Sequence, residues 1–340
     1  MRLATYSSKE NQQSIALVWE EGLLDIPAAA QKLGKIIPPC MLSLLNELSV
    51  TEPVLYELVK RYQLGDFQEL IFSESSVNIN APIPKPPACR DGYAFRQHVE
   101  TARRNRKAPM IPEFDQYPIF YFTNHQAIKG PGELLFMADH FQKLDFELEV
   151  AAVIGKTGRN IRAEFADDHI FGYTIMNDWS ARTLQMEEML LNLGPAKGKD
   201  FATSIGPYIV TKDELAPLLH PTRKGHIGVQ YKLSMAAHVN GIQVSTGNVA
   251  DMDWTFAEII ERCSYGVTIY PGEVIGSGTV GTGCFLELNG TGLLQNPNYP
   301  VQWLNAGDTV SLTIEKLGTL TNTIQIEDNF SILQRKHLSN

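Results

Sequence analysis

A proline-rich segment at residues 80–88 constrains the fold of this 340-residue chain more than any other feature. It reads Asn-Ala-Pro-Ile-Pro-Lys-Pro-Pro-Ala and holds four prolines. Proline lacks a backbone N–H and fixes φ near about −65°, so this segment neither continues a helix nor joins a central strand. We therefore expect an extended linker here. It predicts a boundary between a small domain at residues 1–80 and a larger domain at residues 81–340.

The hydrophobic spacing differs on the two sides of this linker. Before it, residues 14–19 resemble a strand, and residues 26–33, 41–48 and 51–62 show helical periodicity, which predicts a small α/β module. After it, strand-like runs occur at residues 147–154, 170–176, 206–210, 229–239, 273–276, 285–288 and 309–314. Helices are expected at residues 91–107, 179–193 and 254–262. Many strands and few helices predict a mainly β, α+β fold, a β-sandwich or roll flanked by helices.

Charge and cysteine content exclude several classes of protein. The net charge of −9 gives no reason to expect a nucleic-acid partner. The basic run at residues 103–107 is either a solvated helix face or an attractor for an anionic substrate. The four cysteines show no C-x-x-C spacing, and we find no secretory leader or long apolar run. We expect a reduced, cytoplasmic protein that does not cross a membrane.

An acidic pattern precedes the first long strand of the larger domain. Asp145, Glu147 and Glu149 alternate with apolar residues and would share one face of a strand. They form either a solvated face or a buried cluster. Because the chain is continuously apolar after Glu149, the strand enters a core, where such carboxylates need neutralisation. Clustered carboxylates suit a hard cation such as Mg²⁺ or Ca²⁺.

A second pattern lies at residues 176–189. Asp178, Arg182, Gln185 and Met189 follow helical spacing, and Asn177 or Asp178 suits the helix N-cap. This is either a capped helix with an internal ion pair or a site. In a site, the carboxylate would hold a metal beside a guanidinium and an amide that bind an anionic substrate.

Three further segments carry candidate chemistry. Asp91 and His98 are seven residues apart and would lie on one side of a helix, where the histidine is either structural or a general base. The glycine-punctuated loop at residues 194–204 carries Lys199. In the glycine-rich segment at residues 276–288, Glu287 lies between two leucines and would face away from them in a strand. Neither loop has the spacing of a nucleotide-binding motif.

Together and in this order, these segments resemble the fumarylacetoacetate hydrolase family, specifically its fumarylacetoacetase branch. The similarity runs from Asp91 to the C-terminal region. The matching motifs are Asp91-x6-His98, Glu147-Leu-Glu149, Met176-Asn-Asp-Trp-Ser-Ala-Arg-x-x-Gln185, Gly198-Lys-x-Phe-x-Thr203 and Gly278-Thr-x6-Leu-Glu287.

The resemblance implies a role for each matched residue. The metal, Mg²⁺ or Ca²⁺, would be held by four acids: Asp91, Glu147, Glu149 and Asp178. His98 would be the general base and Glu287 would orient it. The substrate contacts, which also stabilise developing negative charge, would be Arg182, Gln185, Lys199 and Thr279. A fourth acid paired with a downstream histidine is similar to the fumarylacetoacetase arrangement.

Two residues depart from the family pattern. Asn124-His125 stands where the family has a substrate-contacting Tyr-His, so Asn124 is a candidate substrate residue, and Met189 replaces a second tyrosine. A substrate-binding arginine of the family has its counterpart in either Arg106 or Lys107. These changes concern the far end of the substrate and leave the metal ligands and the base intact.

The resemblance implies a metal-dependent hydrolase that cleaves a carbon–carbon bond in a small diketo acid. Its expected reaction converts fumarylacetoacetate to fumarate and acetoacetate, as in tyrosine degradation and aromatic amino-acid catabolism. A 2-oxo acid decarboxylase or hydratase, a lyase of the same family, is the alternative, and a non-catalytic metal-stabilised protein is a third. His98 and Glu287 favour hydrolysis because a lyase need not activate water. The resemblance also implies a homodimer.

Overall fold

The computed structural model describes residues 1–192 and 194–328, which form 23 strands and nine α-helices. The strands are β1 (Arg2–Ser7), β2 (Gln13–Val18), β3 (Leu23–Asp25), β4 (Ile71–Phe72), β5 (Asn78–Ile79), β6 (Cys89–Gly92), β7 (Phe120–Thr123), β8 (Ile128–Lys129), β9 (Gly132–Phe136), β10 (Leu144–Asp145), β11 (Glu149–Ile154), β12 (Gly158–Arg159), β13 (Ile170–Asp178), β14 (Ser180–Ala181), β15 (Thr203–Thr211), β16 (Leu219–His220), β17 (Gln230–Tyr231), β18 (Ser234–Val239), β19 (Ile242–Asn248), β20 (Thr268–Ile269), β21 (Val274–Gly276), β22 (Thr309–Ile314) and β23 (Gly318–Ile326). The helices are α1 (Ile26–Lys32), α2 (Met41–Asn46), α3 (Leu48–Gln63), α4 (Arg96–Asn105), α5 (Ala163–Ala166), α6 (Arg182–Met189), α7 (Lys212–Leu215), α8 (Phe256–Ser264) and α9 (Phe285–Gln295).

Two sheets account for most of the strands. The larger, twelve-stranded sheet has the order β4-β3-β2-β1-β15-β13-β11-β21-β6-β7, with β5 beside β1 and β8 beside β15. The smaller sheet has the order β19-β18-β22-β23-β9 and packs on β13 and β15 of the larger one. This sheet-dominated α+β architecture with flanking helices confirms the predicted fold class.

Strand β11 shows why the sequence folds in this way. All six of its residues are buried. Val150, Ala152 and Ile154 face the core shared with the smaller sheet. Ala151 and Val153 face a second core that contains the N-terminal helices. A strand covered on both sides has no polar face, which explains the continuous apolar run after Glu149.

The first 80 residues contribute strands to the same large sheet. Strand β1 pairs antiparallel with β15, with Leu3 opposite Ile209. The proline-rich segment contains neither helix nor strand, and Thr5 Oγ1 donates to the carbonyl of Pro82 at 2.6 Å. The predicted strand and helices of the N-terminal module are present within a few residues. The division at residue 80 stays a prediction, because the sheet continues across it.

The helix predicted at residues 91–107 is shorter and begins later. Asp91 lies on strand β6, and α4 begins at Arg96. The backbone N–H of Arg96 donates to Asp253 Oδ2 at 2.8 Å, so a distant aspartate caps the helix. The expectation that Asp91 and His98 share a helix face is therefore wrong, although both residues line the same cavity.

Two other local predictions are also wrong. Helix α6 begins at Arg182 instead of residue 179, because Asp178 ends strand β13 and Asn177 Oδ1 accepts from the N–H of Glu147 instead of capping a helix. Residue 193, the predicted helix end, lies outside the described residues. Residues 285–288 begin helix α9 instead of forming a strand, because Asp145 caps it through the backbone N–H groups of Phe285 and Leu286. In the described ranges, no helix has the length and apolarity needed to cross a membrane.

Candidate active site

A cavity of about 570 Å³ is lined by side chains of α4, α6, α9, β6 and β7. It brings together most of the residues that the sequence singled out. Those that line it are Asp91, His98, Glu147, Arg182, Gln185, Lys199, Thr279 and Glu287. Asp178 and Glu149 are fully buried directly beside these residues, whereas Asn124 lies elsewhere.

Three buried carboxylates converge at the floor of the cavity. Ligand oxygens of Asp91, Glu147 and Asp178 lie within 4.8 Å of one another. Asp91 comes from β6, Asp178 from the end of β13, and Glu147 from the link between β10 and β11. Gly278, at φ +78°, donates its N–H to Asp91 Oδ1 at 3.0 Å. Four separate chain segments therefore hold the cluster.

Lys199 joins two of these carboxylates. Its Nζ donates to Glu147 Oε2 at 2.6 Å and to Asp178 Oδ2 at 2.7 Å. Burial alone would lower the pKa of Lys199, but the charges of Asp178 and Glu147 outweigh burial and raise it. The preceding residue must be glycine, because a Cβ on Gly198 would lie 2.6 Å from the Cα of Gln185. The contact between this loop and α6 therefore sets the position of the ammonium group.

The carboxyls have very different affinities for protons. Burial, followed by repulsion from Asp178, raises the pKa of Asp91 to about 7. Burial and the neighbouring Asp91 raise the pKa of Glu149 well above its ordinary value, and the two carboxyls share a hydrogen bond. For Glu147, burial is outweighed by Lys199 and Arg182, which lower its pKa to about 2. The cluster therefore lacks positive charge on the side of Asp91 and Glu149.

The donor set fits a hard divalent cation. Among the described residues, Glu149 Oε2 and Asp178 Oδ1 are buried oxygens without a hydrogen-bond partner. Unpartnered buried oxygens are costly unless a cation or a proton satisfies them. The donors that converge here are carboxylate oxygens, which are the ligands that Mg²⁺, Ca²⁺ and Mn²⁺ prefer. Glu149 lies next to Asp91 and outside the converging set of three, so its part as a fourth ligand stays a prediction.

A histidine–carboxylate pair lines the same cavity. His98 Nδ1 lies 2.6 Å from Glu287 Oε2, and both side chains are buried. His98 belongs to α4 and Glu287 to the first turn of α9, and these two helices pack together. With Glu287 ionised, Nδ1 carries the proton and donates it, which leaves the lone pair on Nε2. Tyr93 packs edge-on against the imidazole at 5.8 Å between ring centroids.

Arg182 is held entirely by neighbouring side chains. Its Nε donates to Asp145 Oδ2 at 2.9 Å, and its Nη2 to Glu147 Oε1 at 2.8 Å. Its Nη1 donates to Gln185 Oε1 at 3.0 Å. This geometry orients Glu147 and Gln185 toward the cavity. Arg182 lines the cavity, and its direct contact with a substrate stays a prediction.

Asn124 is the predicted site residue that the structure does not bring to the cavity. Its Nδ2 donates to the carbonyl of Asp200 at 2.9 Å, and its Oδ1 accepts from the N–H of Gln126 at 3.0 Å. The Oδ1 bond stabilises a local turn, and the Nδ2 bond attaches that turn to the loop at residues 194–204. Of the two candidates for a substrate-binding cation, Arg106 lines the cavity and Lys107 does not.

Sequence reasoning missed two tyrosines and the part played by one aspartate. Tyr121 donates its hydroxyl to Asp178 and, on β7, is paired with Asp91 of β6. Tyr93 lines the cavity beside His98. Asp145 caps α9 and binds Arg182 instead of facing a metal. The aromatic run at residues 120–122 is a strand signal that could have located Tyr121.

Comparison with known proteins decides the family. The family model "Fumarylacetoacetate (FAA) hydrolase C-terminal" matches residues 88–325. The chain belongs to the fumarylacetoacetate hydrolase family. Oxaloacetate tautomerase YisK of Bacillus subtilis (strain 168) is 30% identical over 322 residues, which cover 91% of this chain and 94% of YisK. The family resemblance inferred from the motifs is confirmed.

Solved structures of the family share this fold. Fumarylacetoacetate hydrolase from psychrophilic Exiguobacterium antarcticum matches with a TM-score of 0.66 at 22% identity, covering 96% of this chain and all of that one. Maleylpyruvate hydrolase from Sphingobium sp. SYK-6, solved with manganese(II) and pyruvate, matches with a TM-score of 0.66 at 19% identity over the same shares. Together with the family match, the similarity to YisK makes the chain an enzyme of the family. Because YisK is named for a tautomerisation, cleavage of fumarylacetoacetate specifically gains no support from it.

Proposed function

We propose that this protein interconverts the keto and enol tautomers of a small 2-oxo acid, such as oxaloacetate, with the help of a hard divalent cation. The observation that carries the proposal is that the His98–Glu287 pair and the carboxylate cluster belong to one cavity. A base can remove a proton from the carbon next to a carbonyl group, and a cation bound beside that carbonyl makes the proton more acidic. The similarity to oxaloacetate tautomerase YisK supports the same reaction.

Tautomerisation moves one proton and needs no co-reactant. The C3–H bond of the keto form breaks, a C2–C3 double bond forms, and the 2-oxo oxygen gains a proton. His98 Nε2 accepts the C3 proton, and Glu287 stabilises the imidazolium that results. The imidazolium then gives the same proton to the 2-oxo oxygen, which returns His98 to its neutral form. Lys199 places a positive charge at the cluster, where charge develops on the 2-oxo oxygen. Arg182 keeps Glu147 oriented throughout.

The metal itself would be held by Asp91, Glu147 and Asp178, with Glu149 as the fourth candidate. When bound, a divalent cation would polarise the 2-oxo group and acidify the neighbouring C–H. The candidates are the predicted Mg²⁺ and Ca²⁺, together with Mn²⁺, which the Sphingobium maleylpyruvate hydrolase binds.

Hydrolysis of a diketo acid is the second candidate. It is favoured by the same His98–Glu287 pair, which could deprotonate water instead of carbon. The decarboxylation alternative forms an enolate similar to the one formed in tautomerisation, so it lies closer to the proposed reaction than hydrolysis does. The three reactions differ in their products, and product analysis separates them.

The test follows the ultraviolet absorbance of freshly dissolved enol oxaloacetate with purified protein, with Mn²⁺ or Mg²⁺ and after EDTA treatment. Blanks with metal alone are subtracted, because free cations also catalyse this reaction. We expect metal-dependent loss of the enol, with keto oxaloacetate as the product by NMR. Release of pyruvate would identify a decarboxylase. Inert oxaloacetate together with cleavage of fumarylacetoacetate would refute the proposal in favour of the hydrolase.

A further inference from the structure

A cysteine lies beside the His98–Glu287 pair. Cys284 is the N-cap residue of α9, but its thiol makes no capping hydrogen bond, and Asp145 accepts from the first two N–H groups of the helix instead. Side chains at the N-cap and N3 positions of a helix approach one another, which brings Cys284 next to Glu287. One ligand atom from each of His98, Cys284 and Glu287 lies within 4.8 Å of the other two. The proposed reaction uses the histidine and the glutamate but not the thiol.

These three donors differ in chemistry from the carboxylate cluster. The cluster of Asp91, Glu147 and Asp178 offers only oxygen ligands, which suit hard cations. A thiolate, an imidazole and a carboxylate are the donors found in zinc sites. An ionised Cys284 and Glu287 carry two negative charges, which balance the charge of Zn²⁺ in a buried place.

The three side chains are buried, but an ion can reach them from the cavity. His98 is 7% exposed, Glu287 is 3% exposed and Cys284 is fully buried, and the first two line the cavity. The ligand atoms of a tetrahedral zinc ion lie about 3.4–3.6 Å apart, given bond lengths of about 2.0–2.3 Å. His98 Nδ1 and Glu287 Oε2 are 2.6 Å apart. An ion between them must therefore replace their hydrogen bond and separate them by roughly 1 Å.

The charges around Cys284 favour a cation at its sulfur. Burial, followed by the charge of Asp145, raises the pKa of the thiol well above its ordinary value. Arg182 lowers this pKa, while Glu147 and Glu287 raise it further. Negative groups thus outnumber positive ones around the sulfur. A metal ion that replaces the thiol proton relieves this repulsion, and a coordinating thiol is deprotonated.

We propose that His98, Cys284 and Glu287 form a second metal site, for Zn²⁺ or another cation that prefers sulfur and nitrogen ligands, and that its occupation inhibits the enzyme. The cation replaces the proton on the sulfur, which leaves to solvent. A cation on His98 Nδ1 moves the ring proton to Nε2, and a cation on Nε2 uses that lone pair directly. In both cases no lone pair remains to accept a proton from the substrate. The inhibition therefore rests on the proposed function, whereas the binding does not.

The binding test uses Cd²⁺ as the probe, because a bond between Cd²⁺ and a thiolate absorbs in the ultraviolet and ligation by carboxylates does not. All proteins carry Cys40→Ser, which removes the exposed thiol, and contain saturating Mg²⁺ for the carboxylate cluster. We expect a single equivalent of Cd²⁺ to produce the band. Cys284→Ser should remove the band. Cys263→Ser should keep it, since Cys263 is also buried but belongs to neither group of converging ligands.

Calorimetry with Zn²⁺ measures the size of the effect. Loss of a residue that supports a metal ligand lowers affinity by about 10–100-fold, so loss of a ligand should lower it by at least about a hundredfold. We expect this loss in Cys284→Ser and in Cys284→Ala, while Mn²⁺ affinity at the carboxylate cluster shows that the fold is intact. Glu287→Gln keeps the thiol and should weaken zinc binding as well, which gives a result independent of substitutions at Cys284.

The activity test measures loss of enol oxaloacetate with saturating Mg²⁺ at rising Zn²⁺, relative to the rate of each variant without zinc. We expect half-inhibition at the zinc Kd found by calorimetry, with no relief when Mg²⁺ is raised. Cys284→Ser should need at least about a hundredfold more zinc, and Cys263→Ser should behave as the wild type does. Zinc that displaced Mg²⁺ from the carboxylate cluster would give the opposite pattern, because excess Mg²⁺ would relieve it.

Each outcome separates the metal site from the function. A Cd²⁺ band that depends on Cys284, together with inhibition that Mg²⁺ does not relieve, supports the proposal. A band that never forms, or that survives Cys284→Ser, refutes the site. Inhibition that Mg²⁺ relieves and that Cys284→Ser leaves unchanged assigns zinc to the carboxylate cluster and also refutes it. Binding through Cys284 without inhibition keeps the site and refutes His98 as the base. Failure to turn over any 2-oxo acid refutes the proposed function, and the Cd²⁺ band still decides the site.

Discussion

Replacing Glu287 tests how the general base is held. In the wild type, a buried carboxylate accepts from His98 Nδ1 at 2.6 Å. A hydrogen bond to a charged group contributes about 1.5–3 kcal/mol, and its neutral counterpart about half of that. Glu287→Ala removes the acceptor, so we expect kcat to fall by roughly ten- to a hundredfold. Glu287→Gln keeps a neutral acceptor of the same shape, so the expected fall is about threefold to tenfold.

The assay is metal-dependent loss of enol oxaloacetate at saturating substrate, with Mn²⁺ affinity measured by calorimetry as a separate readout. Glu287 is not among the converging metal-site carboxylates, so both variants should bind Mn²⁺ as the wild type does. The order wild type, Glu287→Gln, Glu287→Ala is the result expected from the geometry. If the two variants lose equal activity, or if Mn²⁺ affinity falls with activity, the orienting role of Glu287 is refuted.

Three further predictions concern charge and packing. Because burial raises the pKa of Asp91 to about 7, the folded, EDTA-treated protein binds a proton that the unfolded chain has released. Its free energy of unfolding, measured by urea titration, should therefore fall as the pH rises from about 5 to about 7, by up to roughly 1.4 kcal/mol per pH unit. Saturating Mn²⁺ should flatten this slope. A free energy of unfolding that rises over this range would contradict the prediction. Glu273→Ala leaves the buried Arg90 guanidinium without its carboxylate partner, so the free energy of unfolding in urea titration should fall by about 3–5 kcal/mol. Glu273→Gln should lower it less. Equal losses of stability in the two variants would argue against a charge effect. Gly198→Ala should displace Lys199 and lower kcat. Gly194→Ala in the same loop should leave kcat unchanged, because the nearest atom to its new Cβ would be 3.8 Å away. Equal activity of the two variants would refute the close-contact argument.

The fold class could be predicted because it depends on hydrophobic patterning. The prediction of strand 309–314 coincides with β22, and the long strands β13 and β15 contain the predicted runs. The errors occur where distant residues decide the local structure. The start of α9 is capped by Asp145, 140 residues earlier, so its first turn has only strand-like local signals. Asp253 likewise fixes the start of α4 from far along the chain.

The residues of the site could be chosen from the motifs, but their arrangement could not. Alternation placed Asp145, Glu147 and Glu149 on one face. In the structure the strand is interrupted between β10 and β11. Asp145 and Glu147 share Arg182, Glu147 also binds Lys199, and Glu149 accepts from Thr279 instead. Asn124 is a candidate only by its position relative to a family motif, and its hydrogen bonds to Gln126 and to the distant Asp200 follow from the fold. Dimerisation and the cytoplasmic location stay predictions.

The most direct test of the central claim is to measure the enol lifetime of oxaloacetate with the metal-loaded protein, the EDTA-treated protein and the His98→Ala variant. Metal binding by the variant is confirmed by calorimetry, and blanks with metal alone are subtracted. If a base beside a cation site catalyses tautomerisation, only the metal-loaded wild type shortens the lifetime, while His98→Ala binds the metal and stays inactive. Full activity of His98→Ala, or activity that survives complete removal of the metal, would contradict the account.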